Sequence, residues 1–209
     1  MKNKMKNKID TIIFDIGGVL VDFRLNCNFD HIFKTDEVKE KFMKATIQDS
    51  LWKEFDRGVL SDEEIVDGFV ANDTSIEAEI REVFNDFSGV ISIRDFVFSF
   101  IDEIKAKGYK VYALSNMPKI VREDCDKDFA FLDKMDGYIL SYEVKCIKPD
   151  REIYDVLLSK YNLKAQNCIF IDDLAENTKS ARRLGFETIT YVNYENMRAE
   201  LAKKTGVEL

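Results

Sequence analysis

Residues 14–22 read FDIGGVLVD. The apolar run Ile12-Ile13-Phe14 ends at Asp15. Ile16, Gly17 and Gly18 follow, and a second short apolar run, Val19 to Val21, ends at Asp22. A short, nearly continuous apolar segment rich in β-branched residues is how a strand reads when both faces are covered, as in a parallel sheet. Open α/β sheets bind their ligands at the carboxyl ends of such strands. Asp15 is expected at that edge, where the glycines beside it let the backbone pass close to a bound group.

Four further runs have the same character: KVYALSN (110–116), GYILS (137–141), NCIFIDD (167–173) and ETITYV (187–192). Helical patterns separate them. RDFVFSFIDEIKAKG (94–108) puts Phe96, Phe100, Ile101 and Ile104 on one face and stops at Gly108, a C-terminal capping glycine. DREIYDVLLSKYNL (150–163) groups Ile153, Val156 and Leu157 behind Asp150 as N-cap, and AENTKSARRLG (175–185) again ends on a glycine. This alternation predicts a doubly wound, Rossmann-like α/β fold with a parallel sheet.

The stretch 23–87 differs. It holds helical patterns and no expected strand: DHIFKTDEVKEKFMKAT, then SDEEIVDGFVAN with Ser61 and Glu64 as a capping box, then SIEAEIREVFNDF. Such an insertion is far longer than a usual α/β connection. It reads as a helical cap over the sheet edge, so that residues 1–22 and 88–209 form the core and 23–87 the cap.

The totals agree with an ordinary globular chain. Of 209 residues, 45% are apolar and 33% charged, and 31 basic against 39 acidic residues leave a net charge of −8. With no dominant basic field, nucleic acid and anionic membranes are excluded as partners; a small phosphorylated ligand is not, because a local nest of donors can overrule net charge. Cys27, Cys125, Cys146 and Cys168 form no C-x-x-C pair and read as reduced thiols of a cytoplasmic protein. The single histidine, His31, excludes a histidine-rich zinc site and reads as a structural residue on a helix face. The basic start MKNKMKNK is followed by no apolar segment of signal-peptide length, and its doubling reads as an alternative start at Met5.

Polar residues fall at the strand ends. Asp15 ends the first run, Ser115-Asn116 the second and Asp172-Asp173 the fourth, while Lys148 follows the third, just before Pro149. Singly, each has a bland reading as a turn or capping residue. Together, on one sheet edge, they suit phosphoryl transfer. Carboxylates from two strands can hold Mg²⁺, which prefers oxygen ligands, and two neighbouring carboxylates need a cation between them. One carboxylate can then act as a nucleophile, a hydroxyl and backbone N–H groups can bind phosphoryl oxygens, and a lysine can balance charge.

The ordered set FDIGGVLVD, LSN, KPD and IDDLAEN resembles the four motifs of the haloacid dehalogenase (HAD) superfamily, over roughly 9–192. The helical insertion after the first motif is similar to that family's subclass-one cap. LWKEFDRGVLSDEEI and the DIGGV form resemble the branch that includes glucose-1-phosphate phosphatases. The resemblance implies Asp15 as nucleophile and metal ligand, the Gly17 carbonyl and Asp172 as further Mg²⁺ ligands, and Asp173 beside them. It implies Ser115 and Asn116 as phosphoryl binders, and Lys148 as the group that stabilises Asp15 and the transferring phosphate.

Two positions depart from the family pattern. Where most phosphatases of the family carry an acid two residues after the nucleophile, this chain has Gly17, which supplies a carbonyl and no proton. Lys145 stands where a glycine is usual, adding charge near the mouth of the site. Asp22, Glu54, Asp56 and water are the alternatives for the missing proton, and Gly17→Asp is expected to speed poor leaving groups most. Trp52, Phe55, Asp56 and Arg57 are candidates for substrate contact, Trp52 equally for the cap core. The leading expectation is a cytoplasmic Mg²⁺-dependent phosphatase, a monomer or weak dimer, acting on a small phosphorylated metabolite such as a sugar phosphate. A catalytically weak phospho-ligand binder and a 2-haloacid dehalogenase are the alternatives.

Overall fold

The computed structural model describes residues 8–24 and 29–207. The expectations for Cys27 and for the MKNK repeat lie outside these residues, apart from Lys8.

Five parallel strands form the central sheet in the order β5-β4-β1-β6-β7: β1 Thr11–Phe14, β4 Lys110–Ser115, β5 Gly137–Leu140, β6 Cys168–Asp172 and β7 Glu187–Thr190. The doubly wound α/β expectation holds. Alternate residues of β1 face opposite layers. Ile12 and Phe14 pack with Phe100 and Ile104 of helix Val97–Ala106 and with Leu201 of helix Tyr194–Thr205. Ile13 packs with Ile153 and Leu157 of helix Arg151–Lys160 and with Ala181 of helix Ala175–Arg183. Continuous apolar runs are needed because both faces are covered.

The register aligns the carboxyl ends. Phe14 pairs with Ala113 on one side and with Ile171 on the other. The Asp15 N–H donates to the Ile171 carbonyl at 2.8 Å, so Asp15 leaves the sheet beside Asp172.

Between β1 and β4 the chain forms helices Asp36–Ala45, Leu51–Arg57, Asp62–Asn72 and Glu77–Val83. The capping box exists in full: Ser61 Oγ accepts from the Glu64 N–H, and Glu64 returns a bond from the Ser61 N–H. The first helix starts later than expected, because Thr35 caps it by accepting from the Val38 N–H. His31 therefore lies in an exposed turn and not on a helix face. Asp150 does sit at the N-cap position of helix Arg151–Lys160, but its side chain makes no capping bond there.

A feature the sequence did not announce flanks these helices. β2, Val21–Phe23, pairs antiparallel with β3, Ile91–Ile93, with Val21 opposite Ile93 and Phe23 opposite Ile91. The helical segment leaves through one strand of this ribbon and returns through the other. Phe55, Phe69, Phe84 and Phe87 are buried in it, and their cluster is continuous with the residues beneath β1.

Candidate active site

Two strand ends and the loop that follows the short helix after β5 deliver one buried charged group. Lys148 Nζ lies 2.7 Å from Asp15 Oδ1 and 2.8 Å from Asp172 Oδ2. All three residues are buried. Asp15 Oδ1 also accepts from the Ile16 N–H at 2.6 Å. Asp172 Oδ1 accepts from the Leu174 N–H at 2.8 Å, and the Asn177 amide reaches both Asp172 oxygens, at 3.0 and 3.1 Å. Asn177 is a site residue that sequence reasoning missed. It sits one helical turn beyond Asp172-Asp173, in the IDDLAEN motif, where it reads as an ordinary helix residue.

Burial pushes the Asp15 carboxyl up, and Asp172 adds to this against the pull of Lys148. Burial opposes the Lys148 ammonium, but the two carboxylates outweigh it and hold it charged. Asp173, at the exposed rim, is also raised, first by burial and then by Asp172. One ammonium against this many carboxyls leaves negative charge that a hard cation would neutralise. Asp15, Asp172 and Asp173 offer oxygen atoms all within 4.8 Å of one another. Beside them Asn177 Oδ1 is buried with no hydrogen-bond partner among the described residues, an acceptor of the kind a hydrated cation's water fills. The donor set is all oxygen, which fits Mg²⁺.

Ser115 is buried at the end of β4. The Asn116 side chain is committed at both ends: its amide donates to the Lys148 carbonyl at 3.0 Å and its oxygen accepts from the Lys148 N–H at 2.8 Å. It fixes the Lys148 loop, and any contact to a phosphoryl group must come from its backbone.

The two glycines of the opening stretch have separate reasons. Gly18 has φ +71, and a Cβ there would collide with the Asp173 carboxylate. Gly18→Ala is expected to cost about 1–2 kcal/mol, the usual penalty of a left-handed residue. It should also weaken Mg²⁺ binding through displaced Asp173, checked by thermal unfolding with and without Mg²⁺. At Gly17 a Cβ would stand 2.8 Å from Phe23 Cε2. The ring of Phe23 thus fills the space in which the family pattern places an acid. The expectation that Gly17→Asp simply restores that acid must be amended, since Phe23 has to swing out first.

A cavity of about 270 Å³ opens between the sheet edge and the helical segment, walled by Phe23, Trp52, Phe87 and Val121, with Asp56 and Asn116 as its polar groups. A second, of about 420 Å³, shares Trp52, Asp56 and Asn116 with it and reaches Lys148 and Asn177. Trp52 touches Phe55 and Phe69 in the helical core, as expected of a core residue, and also lines both cavities. Other candidates are engaged elsewhere. Asp22 is paired with Arg94 at 2.7 Å, and Arg57 with Glu54 at 3.3 Å and Asp150 at 3.5 Å; neither Asp22 nor Arg57 lines these cavities. Phe55 is buried. Lys145 has φ 59, which explains why a glycine suits that position, and its ammonium is bound to the Gly58 carbonyl instead of facing a ligand.

A strand-edge carboxylate beside a second acidic strand end and a lysine, beneath a helical insertion, defines a class of hydrolases built on a doubly wound sheet with an aspartate at its edge. The family model for haloacid dehalogenase-like hydrolases matches residues 9–185, and the chain belongs to that family. It is 26% identical to D-ribitol-5-phosphate phosphatase of Bacteroides thetaiotaomicron, across 92% of this chain and 97% of the relative. It is 28% identical to a sesquiterpene phosphatase of Aspergillus oryzae, across 83% and 85%. A HAD-family enzyme of Bacteroides thetaiotaomicron, solved with magnesium and inorganic phosphate, superposes with a TM-score of 0.66 at 26% identity, covering 87% of this chain and 93% of that one. Neither named relative is a glucose-1-phosphate phosphatase, so the resemblance to that branch rests on the sequence alone. Among the described residues no helix is long and apolar enough to cross a membrane.

Proposed function

We propose that this chain is a Mg²⁺-dependent phosphatase that hydrolyses a small phosphomonoester through an aspartyl-phosphate on Asp15. The observation that carries the reading is the buried contact of Asp15, Lys148 and Asp172 at one sheet edge. Asp15 Oδ1 is occupied by Lys148 and the Ile16 N–H, which leaves Oδ2 as the attacking atom. It forms a bond to phosphorus as the ester oxygen departs, and water then breaks the acyl-phosphate bond to release phosphate.

Lys148 balances charge on the transferring group, while Ser115 Oγ and the Asn116 backbone N–H bind its oxygens. Asp15, the Gly17 carbonyl and Asp172 would hold Mg²⁺, with Asp173 beside them. The ion neutralises phosphate charge so that one anion can approach another. Helices within 23–87 act as the cap. Relatives that act on a polyol phosphate and a terpenoid support a phosphomonoester as substrate. The aromatic wall of Phe23, Trp52 and Phe87 supports one with an apolar face on its carbon skeleton. Free thiols at Cys125, Cys146 and Cys168 support a reducing, cytoplasmic setting.

Purified protein is expected to hydrolyse p-nitrophenyl phosphate with Mg²⁺, to lose that activity in EDTA, and to release no halide from chloroacetate. Halide release unaffected by EDTA would select the dehalogenase instead. Phosphate binding without turnover would select the binder.

A further inference from the structure

The geometry points to Asp56 as the residue that delivers the proton to the leaving oxygen, in place of the acid absent at position 17; this rests on the phosphatase reading above. Phe23 covers Gly17, and Phe23 and Asp56 wall the same cavity. Asp56 therefore faces the space in front of the position where the family pattern puts its acid. It also lines the adjoining cavity that contains Lys148, where the phosphoryl group would lie.

Among the described residues the Asp56 carboxyl makes no hydrogen bond or ion pair, although its neighbours Glu54 and Arg57 are paired with each other. Its backbone is fixed to the core. Ser141 Oγ donates to the Asp56 carbonyl at 2.5 Å and accepts from the Met117 N–H at 2.8 Å, next to Asn116. Lys145 holds the Gly58 carbonyl two residues on. A half-buried, unpartnered carboxyl on an anchored stretch of backbone at the mouth of a phosphate site has the attributes of a general acid.

Burial raises this carboxyl to about 7, against the pull of Lys148, so that about half of the molecules hold the proton at neutral pH, where an ordinary aspartate would hold almost none. Asp49 and Lys53 from the same helical segment and Glu176 from the core line the adjoining cavity and complete the charged surroundings. In the first step Asp15 Oδ2 bonds to phosphorus, the phosphorus–oxygen ester bond breaks, and the Asp56 proton moves to the leaving oxygen. In the second, Asp56 as carboxylate takes a proton from the water that attacks phosphorus. Asp15 is released, and Asp56 ends as it began.

The test compares kcat/KM for phenyl phosphate, a poor leaving group, and dinitrophenyl phosphate, which leaves without protonation. Asp56→Asn should lower the first by about 100-fold or more, within the usual range of general acid catalysis. The loss on the second should be less than about a tenth as large, which also reports that the variant is folded. Equal losses on both esters, or none on phenyl phosphate, would overturn the assignment. The wild type gives a second measurement. The ratio of the two kcat/KM values, phenyl over dinitrophenyl, should fall above about pH 7. A ratio that does not change with pH would also overturn it. Wild type that hydrolyses neither ester sinks the phosphatase reading itself, and the proton donor with it.

Discussion

Asp15→Asn is expected to lower turnover by about 10⁴-fold or more, the scale of losing a nucleophile, while the variant stays at least as heat-stable as wild type in EDTA. The two effects have one origin. Without a metal, the wild-type site buries two carboxylates against one ammonium. Removing the Asp15 charge leaves Lys148 and Asp172 as a one-to-one pair at 2.8 Å. Asparagine can still accept from the Ile16 N–H through its oxygen. The sign of the pH dependence follows from the direction of the shift. Burial raises Asp15 in the folded state, so the unfolded chain gives up its proton first. Wild-type stability in EDTA therefore falls as pH rises from the ordinary aspartate range toward the raised folded value, and the variant escapes that loss. Thermal scans across pH, alongside single-turnover kinetics, measure both. A variant that turns over as fast as wild type would remove Asp15 from the nucleophile role.

Lys148→Met should have the largest effect on stability. It leaves Asp15 and Asp172 buried without their shared cation. Breaking a buried ion pair from one side costs about 3–5 kcal/mol. For a chain of this size each kcal/mol moves Tm by about 2–4 °C. A fall of roughly 6–20 °C is expected in EDTA at pH 8. The fall should shrink toward acid pH, where one carboxyl can protonate, and also on adding Mg²⁺, which supplies the missing positive charge. Equal Tm values for variant and wild type in EDTA at pH 8 would contradict the buried triad.

The sheet was legible because its signal is redundant. Each strand covered on both faces reads as an apolar run, and each ends on a polar residue at the same edge. Asp15, Ser115 and Asp172 could be placed at the edge from that alone, Lys148 from its position just before Pro149 in the loop after the third run, and the order of the four carried the family. What escaped was structure whose signal is small or shared. The three-residue strands of the β2–β3 ribbon are too short to show a period. Asn177 has the appearance of any polar helix residue, and only its distance to Asp172 sets it apart. The fates of Arg57, Asp22 and Lys145 depend on Asp150, Arg94 and Gly58, all distant in sequence, and such pairings leave no local trace. Gly17 reads in the sequence as an omission. The aromatic ring that fills the omission became visible only in three dimensions.

The ribbon also bears on how such a protein can change over time. Val21 lies opposite Ile93, so the points where the chain departs for the helices and comes back are a single strand spacing apart, roughly 5 Å. A splice made at those two points joins ends that already touch. Closing a longer excursion there costs little more than closing a shorter one, because loop entropy grows only with the logarithm of length. The helices can be extended, trimmed or exchanged by recombination while Asp15, six residues upstream of the ribbon, keeps its bond to Ile171. Selectivity, and with it the Asp56 proton donor on helix Leu51–Arg57, can therefore change with a replaceable cassette while the contact of Asp15, Lys148 and Asp172 stays fixed.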